Sequence, residues 1–172
     1  DKAVNLIEKN LDRQAGRGKI STEDKDAAMR RIRTTQQLSD LGQCDLVIEA
    51  ATERETVKHA IFEDLVPHLK PETILASNTS SISITRLASR TDRPGRFMGV
   101  HFMNPVPVMQ LVELIRGIAT EEPVFKELVG VVEKIGKTAA SAEDFPAFIV
   151  NRILIPMINE AVYTLYEGVG SV

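Results

Sequence analysis

A chain of 172 residues is long enough for one domain with a hydrophobic core of its own. Its 43% hydrophobic and 26% charged content is that of an ordinary globular protein, and a net charge of −3 gives no general attraction to nucleic acid or to an anionic membrane. We therefore predict neither a nucleic-acid nor a membrane partner. The single cysteine, Cys44, excludes an intramolecular disulfide and fits a cytoplasmic location. The histidines and Cys44 lack metal-ligand spacing, so no metal is predicted.

Hydrophobic periodicity and capping signals predict a chain in which helices and strands alternate. Ser21 can cap the second helix, and Gly136 is a typical residue just beyond the end of the fifth. Helices are predicted over residues 1–15, 22–32, 54–69, 83–88, 123–135 and 146–168. Strands are predicted over residues 34–36, 44–50, 72–78, 97–102, 111–115 and 138–142.

This alternation predicts the α/β class, with a doubly wound, Rossmann-like sheet followed by the first helix of an all-α domain. The composition changes at Phe145–Pro146, so we predict one domain over residues 1–145 and the start of a second over 146–172. The first residues of the chain already show the spacing of apolar residues that is typical of a helix. The last helix is apolar on more than one side. We therefore expect that both ends are cut and that the sheet is incomplete.

Polar residues cluster where the predicted strands end. Ala51–Glu53, Asn78–Ser80 and His101–Asn104 each follow or close a strand. In doubly wound sheets, ligands bind at the carboxyl ends of the strands. Several segments that deliver polar side chains to one edge predict a binding site there.

A candidate general base lies in the segment FMGVHFMNPVPVMQLVELIRG. A turn centred on Val106–Pro107 between two antiparallel strands sets His101 opposite Glu113, within hydrogen-bond reach. Histidine gains and loses a proton near neutral pH, and a carboxylate that orients it is typical of a general base. The alternative is a His–Glu pair that only ties two strands together, and spacing does not decide between them.

Two further features have both a structural and a functional interpretation. The basic residues near the N-terminus form either a solvated face or a site for a polyanionic ligand. They are Arg13, Arg17, Lys19, Arg30, Arg31 and Arg33. Asn151, in the first turn of the last predicted helix, is either a capping or solvent residue or part of a site.

Four segments together strongly resemble the 3-hydroxyacyl-CoA dehydrogenase family, and within it the bacterial 3-hydroxybutyryl-CoA dehydrogenases. They read DLVIEAATE, LASNTSS, GVHFMNPVPVMQLVELI and FIVNRILIPMINEA. The resemblance extends over nearly the whole chain, from about Asn5 onward. It implies an NAD-dependent oxidoreductase of fatty-acid or butanoate metabolism that interconverts (3S)-3-hydroxyacyl-CoA and 3-oxoacyl-CoA, acts on an acyl-CoA substrate and forms a homodimer.

The resemblance also implies roles for individual residues. His101 is the expected catalytic base and Glu113 its orienting partner. Ser80 and Asn151 are expected to hydrogen-bond the substrate oxygen. The expected contacts of the nicotinamide cofactor are Glu53, Lys58, Ser80 and Asn104. Lys19, in GRGKIS, is similar to a lysine that meets the phosphates of coenzyme A.

The chain departs from the family pattern at its ends. The family opens with a strand, a G-x-G-x-x-G turn and a helix, and this unit is missing here. Neither Gly16–Arg17–Gly18 nor Gly168–Val169–Gly170 follows a predicted strand. Because the glycine turn lets the pyrophosphate approach the backbone, we expect the chain by itself to bind NAD weakly. Ala147 stands where the family commonly has glycine, a change that we expect the helix start to tolerate.

Two other functions remain open. One is a catalytically incompetent fragment that acts only as a structural or assembly piece, which the missing glycine turn favours. The other is an oxidoreductase for free hydroxy acids, against which Lys19 argues. The set of His101, Glu113, Ser80 and Asn151 favours an enzyme.

Overall fold

The computed structural model of the protein describes residues 2–171. Within them, six α-helices and five β-strands alternate much as the sequence predicts. The helices are α1 (Lys2–Gly16), α2 (Thr22–Arg31), α3 (Glu55–Leu65), α4 (Ile84–Ala88), α5 (Glu122–Lys134) and α6 (Val150–Tyr166). The strands are β1 (Leu46–Glu49), β2 (Ile74–Ser77), β3 (Phe97–Phe102), β4 (Leu111–Arg116) and β5 (Thr138–Glu143). No helix among residues 2–171 is long and apolar enough to span a bilayer.

The chain divides into two compact units, Asp1–Gln37 and Leu38–Val172. The first holds the helical pair α1 and α2. Ser21 caps α2 as predicted, because its hydroxyl accepts from the Asp24 N–H while the Asp24 carboxylate accepts from the Ser21 N–H. The strand predicted over Thr34–Gln36 is wrong. Thr35 instead accepts from the N–H of Gln37 and bends the backbone locally.

The second unit is built on a five-stranded mixed sheet in the order β1-β2-β3-β4-β5. The first three strands are parallel, β4 runs antiparallel to β3, and β5 is parallel to β4. The strands follow chain order, so the described residues contain no switch in strand order of the kind that a doubly wound sheet has. The carboxyl ends of β1, β2 and β3 meet at one edge, together with the amino end of β4.

Helices cover both faces of this sheet, which gives the three layers of a Rossmann-like fold. On one face, α3 and α4 pack over Leu75, Phe97 and Ile115. On the other, α5 packs over Ile74, Met98 and Leu114. Residues that are adjacent in a strand therefore pack against helices on opposite faces of the sheet, because side chains alternate between the two faces along a strand.

Helix α3 is shorter than predicted and presents a different face. The prediction ran to residue 69, but Pro67 lacks the N–H that would continue the helix, and a 3-10 turn replaces its last turn. Its buried residues are Lys58, Phe62 and Leu65. The apolar spacing of Val57, Ile61 and Leu65 predicts that these three residues share one side of the helix, but of the three only Leu65 is buried, because Lys58 and Phe62 occupy the other inward positions.

Helix α6 begins at Val150 rather than at residue 146. Ala147 and Phe148 before it have φ of 66° and 52°. That left-handed conformation costs a residue with a Cβ about 1–2 kcal/mol, so Ala147 lies in a strained turn rather than at a tolerant helix start. None of the side chains of α6 is buried. Apolar residues such as Ile153 and Val162 are more than half exposed.

Gly99 in β3 offers a test of core packing on the face that carries α4. A Cβ on Gly99 would lie 2.8 Å from Ile84 Cδ1 and 2.9 Å from Ile115 Cβ. We expect Gly99→Ala to lower the free energy of unfolding by about 1–3 kcal/mol, measured by urea titration of the chain. Gly130→Ala is the matched control. A Cβ there meets no atom within 4 Å in α5, so a gain of about 0.5–1 kcal/mol is expected. Equal stability of Gly99→Ala and the parent chain would contradict the packing described here.

Candidate active site

The candidate site lies where the carboxyl ends of β1, β2 and β3 meet. Glu49 closes β1, Ser77 closes β2, and His101 is the penultimate residue of β3. Asn78 joins two of these ends, since its Oδ1 accepts from the N–H of Phe102 at 2.9 Å. The sheet thus brings together the polar segments that the sequence predicts at strand ends.

His101 and Glu113 form a buried pair across β3 and β4. They are direct partners in the antiparallel register, which confirms the predicted pairing. His101 Nδ1 lies 2.7 Å from Glu113 Oε2. His101 is 6% exposed and its ring packs edge-to-face on Phe148, and Glu113 is fully buried. Because Glu113 engages Nδ1, Nε2 is the ring nitrogen that can exchange a proton with a ligand.

The second oxygen of Glu113 holds the beginning of α6. Its Oε1 accepts from the backbone N–H groups of Ile149 and Val150, both at 2.9 Å. These are among the N–H groups that a helix start leaves without an intrahelical partner, and a carboxylate is the favoured acceptor there. One carboxylate therefore orients the histidine and anchors the last helix.

Asn151 and Ser80 are brought together beside this pair. Asn151, the second residue of α6, donates from Nδ2 to the backbone oxygen of Ser80 at 3.2 Å. Both residues are half-buried. Because an amide nitrogen carries two hydrogens, Asn151 can hold the Ser80 segment and still donate to a ligand.

Glu53 fastens the Ser80 segment to the end of β1. Its Oε1 accepts from the Thr79 hydroxyl at 2.6 Å, from the Ser80 N–H at 2.6 Å and from the Ser81 N–H at 3.1 Å. Burial acts to raise the pKa of Glu53, but these hydrogen bonds and the Lys58 ammonium lower it more, so the pKa lies below its ordinary value. The carboxylate is thus ionised at neutral pH and holds the loop.

Lys58 is buried and ion-paired. Its Nζ lies 2.6 Å from Glu49 Oε2 and 3.8 Å from Glu53 Oε2. Sequence reasoning placed Lys58 at the site but missed Glu49, whose signal was an acidic residue that directly follows the apolar residues Leu46, Val47 and Ile48 in the run CDLVIEA.

Two predicted contacts, Asn104 and Lys19, take no part in the hydrogen bonds described above. Asn104 is exposed, just beyond β3. Lys19 belongs to the first unit, in the turn between α1 and α2, where its N–H donates to Gln14 O at 2.9 Å. The roles predicted for Asn104 and Lys19 stay predictions.

Asp144 is a second residue that sequence reasoning missed. It follows β5 and accepts from the Ser83 hydroxyl at 2.7 Å and from the N–H groups of Ile84 and Thr85. Burial acts to raise its pKa, but these hydrogen bonds lower it more, so the pKa lies below its ordinary value. Stability from these bonds is present above the ordinary pKa and is lost as the pH falls through the lowered one. Asp144 thereby fixes α4, which follows the Ser80 segment.

An open cleft of about 230 Å³ lies between the end of β1 and the segment that follows β2. Its lining includes Glu53, Lys58, Asn78 and Ser80, which supply carboxylate, ammonium, amide and hydroxyl groups. Such a set suits the ribose hydroxyls and carboxamide of a nicotinamide riboside, so the residues present fit that half of NAD. A glycine turn for the pyrophosphate is not found in residues 2–171, where Gly16 ends α1 and Gly168 follows α6.

Comparison with known proteins adds independent information. Residues 1–145 match the family described as 3-hydroxyacyl-CoA dehydrogenase, NAD binding domain. A 3-hydroxybutyryl-CoA dehydrogenase of Bradyrhizobium diazoefficiens is 61% identical over 166 residues, which cover 96% of this chain and 57% of that protein. A probable 3-hydroxybutyryl-CoA dehydrogenase of Deinococcus radiodurans is 48% identical over 170 residues, 99% of this chain and 61% of that protein.

Among solved structures, the crystal structure of (S)-3-hydroxybutyryl-CoA dehydrogenase from Ralstonia eutropha matches with a TM-score of 0.95 and 45% identity. The match covers 99% of this chain and 60% of that one. The chain therefore spans less than two thirds of the length of these relatives. The similarity confirms the fold class and the predicted resemblance.

Proposed function

The chain belongs to the 3-hydroxyacyl-CoA dehydrogenase family, and from that premise we propose that it supplies the catalytic groups of an NAD-dependent 3-hydroxybutyryl-CoA dehydrogenase. The observation that carries this proposal is the buried contact of His101 Nδ1 with Glu113 Oε2 at the ligand-binding edge of the sheet. The pair lies close to a polar cleft, because Asn78, which lines the cleft, accepts a hydrogen bond from the N–H of Phe102, the residue after His101.

In the proposed reaction, Nε2 of His101 accepts the proton of the substrate 3-hydroxyl group, and the 3-oxo thioester is formed. When bound, NAD supplies the hydride acceptor. Glu113 holds the ring in the tautomer with a proton on Nδ1 and stabilises the imidazolium, an interaction worth about 1.5–3 kcal/mol for a hydrogen bond to a charged group. In the reverse direction the imidazolium returns the proton to the 3-oxo oxygen.

Ser80 and Asn151 are proposed to donate to the substrate oxygen, where negative charge develops as the proton leaves. The support is their proximity, through the Asn151 Nδ2 bond to the Ser80 oxygen. Because Glu53 fastens the Ser80 N–H, the backbone that carries the Ser80 side chain is held before a ligand arrives. Glu53, Lys58, Ser80 and Asn104 are proposed contacts of NAD.

Partners, domains and location are proposals of the same kind. We propose an acyl-CoA substrate whose phosphates meet Lys19, a domain boundary at residues 145/146, and a role in fatty-acid or butanoate metabolism in the cytoplasm. A homodimer is proposed because α6 leaves apolar side chains such as Ile153 exposed, and a patch of this kind favours association.

The test compares this chain with a chimaera in which it replaces the matching segment of the Bradyrhizobium relative. We expect the chimaera to oxidise NADH in the presence of 3-oxobutyryl-CoA, followed by absorbance. The 172-residue chain is expected to show no turnover and weak or no NADH binding in calorimetry, because its sequence lacks the glycine turn. Sedimentation of the chain is expected to show self-association.

Each outcome bears on a different part of the proposal. A folded chimaera without turnover would refute the proposed activity and favour a purely structural piece. Turnover of the free acid at the rate of the CoA ester would favour a hydroxy-acid oxidoreductase. Micromolar NADH affinity of the chain itself would show that the glycine turn contributes less than we infer, and a monomer would refute association through α6.

A further inference from the structure

A buried carboxylate lies behind the cleft and has no part in the chemistry described above. Glu49 is 6% exposed. Its Oε2 accepts from Lys58 Nζ at 2.6 Å and from Ser77 Oγ at 2.7 Å, and its Oε1 accepts from the Ala51 N–H at 2.6 Å. It therefore joins the loop after β1, the end of β2 and the first half of α3.

The ion pair is not explained by packing. Lys58 is 1% exposed and lies on the buried stripe of α3 with Phe62 and Leu65. A methionine would fill this position without taking an ammonium out of water, and well-packed apolar replacements of buried ion pairs are often no less stable. The charge therefore points to a role at the cleft that Lys58 lines.

The Lys58 ammonium lies between the carboxylates of Glu49 and Glu53, which make different contacts. Glu49 holds it closely, whereas Glu53 Oε2 is 3.8 Å away and Glu53 Oε1 holds Thr79, Ser80 and Ser81. If Glu49 lost its charge, Lys58 would be drawn to Glu53, the only acidic partner left to it among its ion pairs in residues 2–171. That shift would pull the Glu53 side chain away from the Ser80 segment.

We propose that Glu49 is a positioning residue that sets Lys58 and, through it, Glu53 for binding the nicotinamide–ribose half of the dinucleotide. This inference rests on the proposed function for its ligand. Glu49 touches neither cofactor nor substrate in this scheme, and its effect is carried entirely by Lys58. Two consequences follow, one for cofactor affinity and one for the chemical accessibility of Lys58.

The first measurement is calorimetry and kinetics with NADH in the chimaera. Glu49→Gln is expected to raise the Kd for NADH by at least about tenfold, the scale of losing a hydrogen bond to a charged group, and to change kcat at saturation by less than about threefold. In a Lys58→Met background, Glu49→Gln is expected to add less than about twofold, because effects carried by one contact are not additive. Asp45→Asn, which breaks the exposed Asp45–Lys70 pair, is the control and should change neither value.

The second measurement needs no cofactor. In the 172-residue chain, acylation of lysines with acetic anhydride is read by mass spectrometry. Glu49→Gln is expected to raise the labelling rate of Lys58 by about tenfold, because the ammonium moves from buried Glu49 toward Glu53, whose side chain is 43% exposed and lines the open cleft. Lys126, whose side chain is 73% exposed, serves as the internal control with an unchanged rate.

The outcomes separate this inference from the proposed function. If Glu49→Gln fails to fold, the Glu49→Gln/Lys58→Met variant removes both charges and takes its place. A Kd equal to that of Lys58→Met supports the inference, and a further tenfold loss overturns it. If the unsubstituted chimaera binds no NADH, the proposed function fails, and the labelling experiment alone tests the role of Glu49. Unchanged labelling of Lys58 in Glu49→Gln overturns that role. Increased labelling supports the conclusion that Glu49 holds Lys58.

Discussion

Replacing His101 with alanine in the chimaera is expected to lower kcat for 3-hydroxybutyryl-CoA by about 10²–10⁴-fold, the usual loss when a general base is removed. The reason is geometric, since Glu113 holds Nδ1 at 2.7 Å, and Nε2 is the nitrogen that we propose takes the proton of the substrate. The KM for the CoA ester should change much less than kcat, because the ring is not proposed to hold the coenzyme A moiety. Steady-state kinetics with both substrates varied measures the two effects separately.

His68→Ala is the matched control, since His68 is exposed in the turn after α3 and lies outside the candidate site. It should leave kcat unchanged. Added imidazole should restore part of the turnover of His101→Ala, in proportion to its concentration, because it supplies the missing base to the vacated position. Turnover of His101→Ala near that of the parent chimaera would remove His101 from the mechanism.

The parts of the fold that were predicted from sequence depend on local physics. The cap that Ser21 forms on α2 and the end of α5 before Gly136, whose φ is +75°, follow from interactions within one turn of helix. The pairing of His101 with Glu113 also belongs here, because a short Pro-containing connection fixes the register of the two strands that it joins.

Predictions failed where distant residues decide the local structure. The start of α6 depends on Glu113, which is 37 residues from Val150 in sequence, and on the left-handed turn at Ala147 and Phe148. Periodicity could not reveal either constraint, so the predicted helix began four residues too early. The inward position of Lys58 likewise depends on Glu49, nine residues away on another element.

The same distinction applies to the candidate site. The resemblance supplied His101, Glu113, Ser80 and Asn151, and the structure brings these four together at one edge of the sheet. Two residues that support this edge, Glu49 and Asp144, were not predicted. Asp144 reaches Ser83 across 61 residues of sequence, a contact that no motif spacing encodes. Supporting residues of this kind become visible only once the sheet has assembled.

Glu113→Gln in the chimaera should lower kcat about 10²–10⁴-fold and change KM for the CoA ester much less, in steady-state kinetics. The physical reason is that Glu113 accepts hydrogen bonds on both oxygens, from His101 and from the N–H groups of Ile149 and Val150. A glutamine has only one accepting oxygen. When that oxygen stays with α6, its NH₂ group donates to Nδ1 of His101, which puts the ring proton on Nε2, where it prevents the ring from acting as a base.

Stability measurements separate this loss of tautomer control from simple misfolding. Glu113→Gln should keep the free energy of unfolding within about 1 kcal/mol of the parent, because the amide oxygen still accepts from the start of α6. Glu113→Ala should lose about 2–5 kcal/mol, since it leaves the half-buried N–H groups of Ile149 and Val150 without the carboxylate that accepts from them. Glu113→Asp keeps the charge on a side chain that is one methylene shorter, so its turnover should fall between those of the parent and Glu113→Gln. Full turnover in Glu113→Gln would show that the carboxylate serves α6 alone, and the pair across β3 and β4 would then be a tie between strands.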